Sequence, residues 1–284
     1  RLIKATDAEL GDTHYHYDNR DNLIEVIDPE GRSTQFTYDK ADRLLSEIKQ
    51  NDNETIHYSY DETGNLKTII SPSQHKTDFN YSDAGLLLET KHYQHQNDST
   101  AEKTVHYTYT INGQLESYND TTTQASYSYN ARNQLTQITQ NLGSFTKSYQ
   151  YSYYPNGLKQ SYTNPEGIQY TYQYDNNGQI QSIDIPNEGQ LRYNNYKWTA
   201  PTDITYPGGN KQLLDYDSTL RRVSQIYQDI AKTQHHKNTL SYDNENNIIS
   251  QTKEYTSIYA AGTTDYSYDK NYRLTDVDTT ENRA

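Results

Sequence analysis

Apolar and polar residues alternate along most of this chain in short stretches with a period of two. A clear stretch is Tyr58-Ser59-Tyr60, in which a polar residue separates two aromatic rings. Such alternation places the rings on one face of a β-strand and the polar side chain on the other. The pattern recurs mostly every 19 to 28 residues, which is typical of a repeat protein. The second aromatic position of its eleven clear copies is Tyr17, Tyr38, Tyr60, Tyr81, Tyr109, Tyr129, Tyr153, Tyr174, Tyr216, Tyr242 and Tyr268, and a blurred copy surrounds Tyr193.

A four-residue turn follows the second tyrosine of each copy. Asp61-Glu62-Thr63-Gly64 shows the type, because Asp at the first position and Gly at the fourth suit a type I turn that ends in a left-handed backbone. Such a turn joins two strands as a three-residue hairpin with a bulge. Leu220 and Tyr272 are exceptions at the fourth position, which Asp or Asn occupies in four copies. Glycine occupies it at Gly64, Gly85, Gly113, Gly157 and Gly178.

Many units close with a second turn, such as Asp28-Pro29-Glu30-Gly31 or Asn164-Pro165-Glu166-Gly167. A chain that turns at both ends of short strands forms an antiparallel ribbon. We therefore predict an all-β fold of tandem antiparallel β-hairpins in one continuous sheet, with no helix needed. No linker or change of composition marks a boundary, so residues 1–284 are expected to form a single array of about twelve repeats.

A tandem pattern of Tyr-Asp, two variable residues, Gly and then an apolar residue resembles the YD repeat of Rhs proteins, Tc toxin C components and teneurins. The cleanest matches run from Tyr60-Asp61 to Leu66 and from Tyr174-Asp175 to Ile180. The resemblance covers nearly the whole chain. It implies a curved, spiralling sheet that forms part of a hollow β-shell around a toxin domain or, in teneurins, around the chain's own residues. The repeated tyrosines and turn glycines are then its structural positions.

Composition alone favours disorder, because hydrophobic residues make up only 31% of the chain and the net charge is −13. The 31 tyrosines change this interpretation. A tyrosine can bury its ring and keep its hydroxyl hydrated or hydrogen-bonded, so stacked rings can stabilise a sheet with water on both faces. We expect a thin wall and no thick core.

Other features of the sequence restrict its environment. Cysteine is absent, which excludes disulfides and thiolate metal sites. No apolar run approaches the roughly 20 residues of a membrane helix, so we expect no membrane insertion. Repeats begin near both ends and no capping segment is visible, whereas repeat arrays need capped ends. The expectation is a fragment of a longer shell-forming chain, secreted or at the cell surface as an exported bacterial toxin component.

Three units are longer than the others, and their extra residues predict surface loops at 92–99, 231–238 and 257–264. Loops on a rigid scaffold often carry binding function, but added loop length costs little stability. Tolerated insertions are the simpler interpretation. Trp198, the one tryptophan, lies in the blurred copy, which we interpret as a decayed repeat, with a seam or corner in the ribbon as the alternative.

Histidine pairs are the first candidates for metal binding or catalysis. His14 and His16 share one strand face, and His92 and His95 flank a loop stretch, but neither pair has a third ligand that the sequence places beside it. Turn acids do not follow the ligand order of a calcium loop. We therefore predict no metal and no cofactor.

Nucleophilic catalysis has no sequence support either, because serines and histidines are scattered without a nucleophile elbow. Asp28-Pro29-Glu30-Gly31 superficially resembles the autoprotease segment of Rhs and Tc proteins. It passes directly into the next strand pair, so we expect it to be a hairpin turn. We predict no catalytic residue and no enzymatic activity in this chain.

Two functional hypotheses remain. The preferred one is a structural shell segment of an Rhs/Tc-type polymorphic toxin that encapsulates a C-terminal effector domain. Its partners are then the effector, the remaining shell segments of the same protein, and a secretion apparatus or Tc complex. The alternative is an adhesin-like module whose tyrosine, Asn, Gln and Asp side chains bind carbohydrate or a cell-surface partner. Nucleic acid is disfavoured, because the excess negative charge repels phosphates.

Overall fold

The computed structural model describes residues 1–50, 54–255 and 261–282. In these ranges the chain forms 25 β-strands that belong to one sheet. Strands adjacent in sequence pair antiparallel along the ribbon, as in β2 with β3 and β3 with β4, whose bounds are given below. The prediction of an all-β fold built from consecutive antiparallel hairpins is confirmed. The described residues form no helix, and so none that could cross a membrane.

The strands are three to nine residues long, the common range for globular proteins. Turns of a few residues connect most of them. In chain order the strands are β1 Lys4–Thr6, β2 Asp12–Tyr17, β3 Leu23–Ile27, β4 Ser33–Tyr38, β5 Leu44–Lys49, β6 Glu54–Tyr60, β7 Leu66–Ile70, β8 Lys76–Tyr81, β9 Leu87–Tyr93, β10 Lys103–Tyr109, β11 Leu115–Asn119, β12 Gln124–Tyr129, β13 Leu135–Asn141, β14 Thr146–Tyr153, β15 Lys159–Thr163, β16 Gln169–Tyr174, β17 Ile180–Ile185, β18 Gly189–Lys197, β19 Ala200–Thr205, β20 Lys211–Tyr216, β21 Arg222–Gln228, β22 Gln234–Tyr242, β23 Ile248–Tyr255, β24 Ala261–Tyr268 and β25 Leu274–Asn282.

The strands are distributed over two compact units. The first comprises Arg1–Thr6 and Leu10–Tyr149, and the second comprises Asp7–Glu9 and Gln150–Ala284. The division falls inside β14 and not at a linker, so no composition signal marks it. Both units are built from hairpins of the same kind. The assignment of residues 1–284 to a single repeat array stays a prediction.

A bulge lies directly before the second tyrosine of every copy. In the hairpin of β6 and β7, Ser59 pairs with Thr68 whereas Tyr60 pairs with Leu66, so the return strand holds one extra residue. The same shift precedes the second tyrosine in all eleven copies. Bulges bend a strand and increase its twist. A regular distortion is therefore encoded once per repeat.

Burial in this sheet is shallow. In β6, Tyr58 and Tyr60 are half-buried and the intervening Ser59 is exposed, which confirms the period of two. No large side chain of the described residues is fully buried, and the buried hydrophobic residues among them are four: Val105, Ala125, Ile204 and Leu240. Buried polar residues are more numerous and include Ser46, Ser161 and Ser182. This distribution agrees with a thin wall whose interior is half-buried rings.

The long units differ from the loop predictions. The loop predicted at 231–238 is partly wrong, because residues 231–233 lie in a turn that closes between Asp229 and Thr233, whereas β22 begins at Gln234. The extra residues there lengthen two paired strands. The prediction at 92–99 is partly wrong, since His92 and Tyr93 belong to β9 and the loop follows them. Of the stretch 257–264, residues 257–260 lie outside the described residues, and β24 begins at Ala261.

Candidate functional site

The strongest repeated chemistry of the chain lies in the second tyrosines and the turns that follow them, which we call the YD ladder. In its third clear copy, the Gly64 amide donates to the Asp61 carbonyl at 3.2 Å, and the Asp61 amide donates to the Asn65 carbonyl at 2.9 Å. The Asp61 carboxylate accepts from the Thr63 and Asn65 amides at 2.9 and 2.8 Å. One aspartate therefore holds the whole turn, which explains why Asp follows Tyr.

The same carboxylate bridge recurs along the YD ladder. The aspartates accept backbone amides two and four residues ahead at 2.8 to 3.0 Å, at Asp18, Asp39, Asp175, Asp217, Asp243 and Asp269. Hydrogen bonds to an ionised carboxylate stabilise the charged form. The Thr63 hydroxyl accordingly lowers the pKa of Asp61, and the Arg43 amide lowers that of Asp39.

The backbone at the fourth turn position is left-handed in every clear copy, as the turn sequences predict. The dihedral φ lies between +60° and +94° throughout. Leu220 and Tyr272 adopt it as well, with φ of +65° and +60°, although neither residue favours it. The turn geometry is thus constant and the residue type is not. The fourth positions are Asp21, Asp42, Gly64, Gly85, Gly113, Asn133, Gly157, Gly178, Leu220, Asn246 and Tyr272.

The hydroxyl of the second tyrosine links neighbouring repeats. Tyr38 Oη donates at 2.8 Å to the carbonyl of Leu23, the first residue of β3 in the preceding hairpin. Equivalent bonds of 2.7 to 3.0 Å run from Tyr17 to Leu2, Tyr129 to Leu115, Tyr174 to Lys159, Tyr216 to Pro201, Tyr242 to Arg222 and Tyr268 to Ile248. Each bond ties the end of a hairpin's first strand to a residue at or near the start of the preceding strand.

Sequence reasoning treated these tyrosines as rings and missed the role of their hydroxyls. A signal was available, because the second position is tyrosine in all eleven copies whereas the first also accepts Phe36, Phe79, Leu214 and Leu240. The hydroxyl bonds described above for seven of the eleven copies agree with that difference. The other predicted ladder tyrosines occupy the same strand-end position and are half-buried: Tyr60, Tyr81, Tyr109 and Tyr153.

A second set of contacts joins each turn to the next. The residue after the left-handed position reaches forward: Asn22 Nδ2 donates to Asp42 at 2.7 Å, and Arg221 donates to the Asp243 carbonyl at 2.8 Å. The Arg221 guanidinium also lies over the ring of Tyr242, 5.1 Å from its centroid. Such cation–π contacts stabilise by about 0.5–1 kcal/mol at exposed sites. The turns therefore form a connected row.

Tyrosines outside the YD ladder also stack across strands. Tyr151, Tyr162 and Tyr170 face one another on β14, β15 and β16. Their ring centroids are 5.5 and 5.8 Å apart, and both pairs are stacked. Cross-strand aromatic pairs of this kind add about 0.2–1 kcal/mol each. This row of three rings is half-buried in the sheet.

The blurred copy is centred on Tyr196 and not on Tyr193. Tyr196 Oη donates at 2.5 Å to the carbonyl of Ile180, the first residue of β17, as a ladder tyrosine does. Lys197 pairs with Ala200, so a two-residue turn replaces the usual one. Trp198 lies in that turn with φ of +58° and is 84% exposed. The copy is a hairpin with a shorter turn.

The candidate catalytic groups have ordinary structural partners. His16 Nδ1 lies 2.7 Å from the Glu25 carboxylate, and His92 Nδ1 lies 3.2 Å from the Thr77 hydroxyl. Asp28 accepts the Glu30 and Arg32 amides, as predicted for a hairpin turn. Across residues 1–50, 54–255 and 261–282, no three His, Asp or Glu side chains are grouped to hold a metal ion.

Comparisons with known proteins identify this arrangement. The model of the teneurin YD-shell family matches residues 46–227, and the RHS repeat model matches residues 1–33 and 17–55. The chain belongs to the YD-shell family. The hairpins described above are therefore YD repeats. A comparison with curated proteins gives no match.

Solved structures share the fold of this YD-shell chain. A TcdB2–TccC3–Cdc42 crystal structure aligns with a TM-score of 0.68 and 15% identity over 94% of this chain and 17% of that chain. The TcdB2–TccC3 crystal structure gives 0.68 and 13%, covering 96% and 20%. The Tc holotoxin pore of Photorhabdus luminescens gives 0.65 and 14%, covering 99% and 19%. The YD-shell chain therefore spans a fifth or less of those chains.

Proposed function

We propose that this YD-shell segment is part of a wall that encloses an effector domain of the same protein. The observation that carries the proposal is the direction of the YD ladder contacts. The tyrosine hydroxyls bond to the preceding repeat, and turn side chains such as Asn22 and Arg221 bond to the following one. The repeated chemistry is used to join repeats, which is what a wall requires.

The similar structures support the same proposal. They include complexes of TcdB2 with TccC3 and a Tc holotoxin pore. We infer that the partners of this chain are the remaining shell segments of its own protein, an enclosed effector and a Tc-type or secretion assembly. The protein is then exported from the cell that makes it. The segment itself performs no catalysis in this proposal.

Limited proteolysis of the natural full-length protein tests the enclosure. If residues 1–284 help to wall in an effector, the folded protein protects that effector from protease until the shell is opened by denaturant. Protection should fall in a variant that lacks several ladder hydroxyls, such as Tyr38→Phe, Tyr174→Phe and Tyr268→Phe combined. An effector region that is cleaved as fast in the intact protein as in the denatured protein contradicts the proposal.

Carbohydrate binding is the second candidate, and one feature of the first unit favours it. A trough of about 400 Å³ crosses β11 to β14. Its lining contains no charged side chain, and it offers hydroxyls and carboxamides that suit a neutral sugar: Ser117, Asn119, Gln124, Ser126, Thr139, Asn141 and Thr146. A glycan array tests this candidate, with Gln124→Ala as the trough variant and the exposed Gln96→Ala as control. Saturable glycan binding that Gln124→Ala removes and Gln96→Ala does not remove supports carbohydrate binding. If no glycan binds saturably, this second candidate is rejected and only the wall proposal remains.

A further inference from the structure

Tyr272 departs from the residue rule of the YD ladder. It holds the left-handed backbone at a position where Gly, Asn or Asp is found in most copies, with φ of +60°. A residue with a large side chain pays about 1–2 kcal/mol for that conformation. Leu220 is the other residue of this kind, with φ of +65°. The two differ in what their side chains contact.

Tyr272 contacts a segment that is 265 residues away in sequence. Its hydroxyl donates to the carboxylate of Asp7. Asp7–Glu9 belongs to the second compact unit together with residues 150–284. The strained turn therefore reaches a distant segment, whereas the ladder contacts join adjacent repeats.

The neighbouring turn holds the same segment by two reciprocal bonds. The Ala8 amide donates to Glu245 Oε1 at 2.6 Å, and the Asn244 amide donates to Glu9 Oε1 at 3.1 Å. Each partner thus gives one backbone donor and one carboxylate acceptor. Charge-assisted bonds of this type are stronger than neutral ones. Two adjacent YD turns, 243–247 and 269–273, form one surface for the three-residue segment.

Both sides of this contact are shaped in advance by local hydrogen bonds. The Glu9 amide donates to Asp7 Oδ1 at 3.0 Å, which folds the segment on itself. The Asp243 carboxylate accepts the Glu245 amide at 2.9 Å, and the Tyr272 amide donates to the Asp269 carbonyl at 2.9 Å. The pKa of Tyr272 is raised well above its usual range, mainly by desolvation and secondly by the hydrogen bond to the Asp7 carboxylate. The phenol therefore stays protonated and remains a donor.

We propose that turns 243–247 and 269–273 form a docking surface for an acidic segment of the same chain, occupied by Asp7–Glu9, and that Tyr272 is retained as its positioning residue. The ring carries the hydroxyl out to Asp7, which no Gly, Asn or Asp at this turn position can do. The backbone strain at Tyr272 is offset by the contact with Asp7. Leu220 makes no comparable hydrogen bond, so it serves as the matched control.

Hydrogen exchange at the amides of Ala8 and Asn244 in the full chain tests the proposal. Tyr272→Phe keeps the ring and the strain but removes the hydroxyl, and Tyr272→Asn relieves the strain but shortens the side chain. Both should lower protection at these two amides by about tenfold or more. Leu220→Asn should leave protection at both amides within about twofold while it raises the thermal midpoint.

A variant on the segment side keeps the test independent of turn folding. Asp7→Ala should lower protection at the Asn244 amide by about the same factor as Tyr272→Phe, and the double variant should add little to either. Unchanged protection in both Tyr272→Phe and Tyr272→Asn overturns the proposal. So does a double variant whose effects simply add, because the two residues then act separately.

Discussion

The ladder hydroxyls give the most direct quantitative prediction, and β16 provides its own control. Tyr174 Oη donates to the Lys159 carbonyl at 2.9 Å. Tyr172, two residues earlier on the same strand, is half-buried, and no hydrogen bond of its hydroxyl is found in the described part of the chain. Phenylalanine preserves either ring and removes only the hydroxyl. The pair therefore separates the hydrogen bond from the ring packing.

The expected magnitude follows from the net contribution of a typical intramolecular hydrogen bond, since this one is part-buried. Tyr174→Phe should lower the free energy of unfolding by about 0.5–1.5 kcal/mol, since it removes the bond and leaves the Lys159 carbonyl without that donor. A loss of about 1 kcal/mol changes the unfolding equilibrium about fivefold. Tyr172→Phe should change the free energy of unfolding by less than about 0.5 kcal/mol.

Urea unfolding of the full chain measures both variants, with amide exchange in β15 and β16 as the local readout. Tyr38→Phe, placed in the first unit, should reproduce the Tyr174→Phe value. The effects of the two should add, because they are separated by several repeats. Equal unfolding midpoints for Tyr174→Phe and Tyr172→Phe would refute the reasoning.

Three further predictions concern the turns. Gly178→Val should lower the free energy of unfolding by about 1–3 kcal/mol because of its left-handed φ. A clash is not the reason, since the nearest atom to an added Cβ is Leu158 Cδ1 at an ordinary 3.8 Å. Gly178→Asn is the control, and equal thermal midpoints for the two variants argue against backbone strain. The pKa of Asp61 is lowered in the folded state, so its contribution is complete above the unfolded pKa and is lost as pH falls through the folded one. Asp61→Asn should weaken the loss of stability below about pH 4, and an unchanged pH profile contradicts this. Trp198→Gly should preserve or raise the thermal midpoint, because glycine suits φ of +58° and the indole is mostly exposed; a clear fall shows that the indole packs.

Local features of this fold were predictable from the sequence. The period of two around Ser59 gives the strand and its faces, and Asp61 with Gly64 gives the turn, its left-handed residue and the bulge. These features depend on a few neighbouring residues and recur in every copy. Their repetition made them predictable from the sequence, since a single Tyr-Asp pair carries almost no information.

Contacts between repeats were not predictable in the same way. The Tyr38 hydroxyl donates to a backbone carbonyl, and because every residue has such a carbonyl the sequence does not mark the acceptor. Tyr272 contacts Asp7, which is 265 residues away in the sequence. The error in the loop predicted at 231–238, whose second half is a strand, has a different cause. Asn238 is 8% exposed, and its side-chain oxygen accepts a hydrogen bond from Gln251 Nε2. A polar residue of a type that predicts a loop therefore occupies an interior position of a strand.

We propose that these repeats form part of a wall around an effector domain. Cryo-electron microscopy of the natural full-length protein tests it most directly. We expect a chamber in which the sheet of residues 1–284 supplies part of the wall, with effector density inside it. Effector density that lies outside the chamber, or a sheet of residues 1–284 that borders no chamber, would contradict the claim.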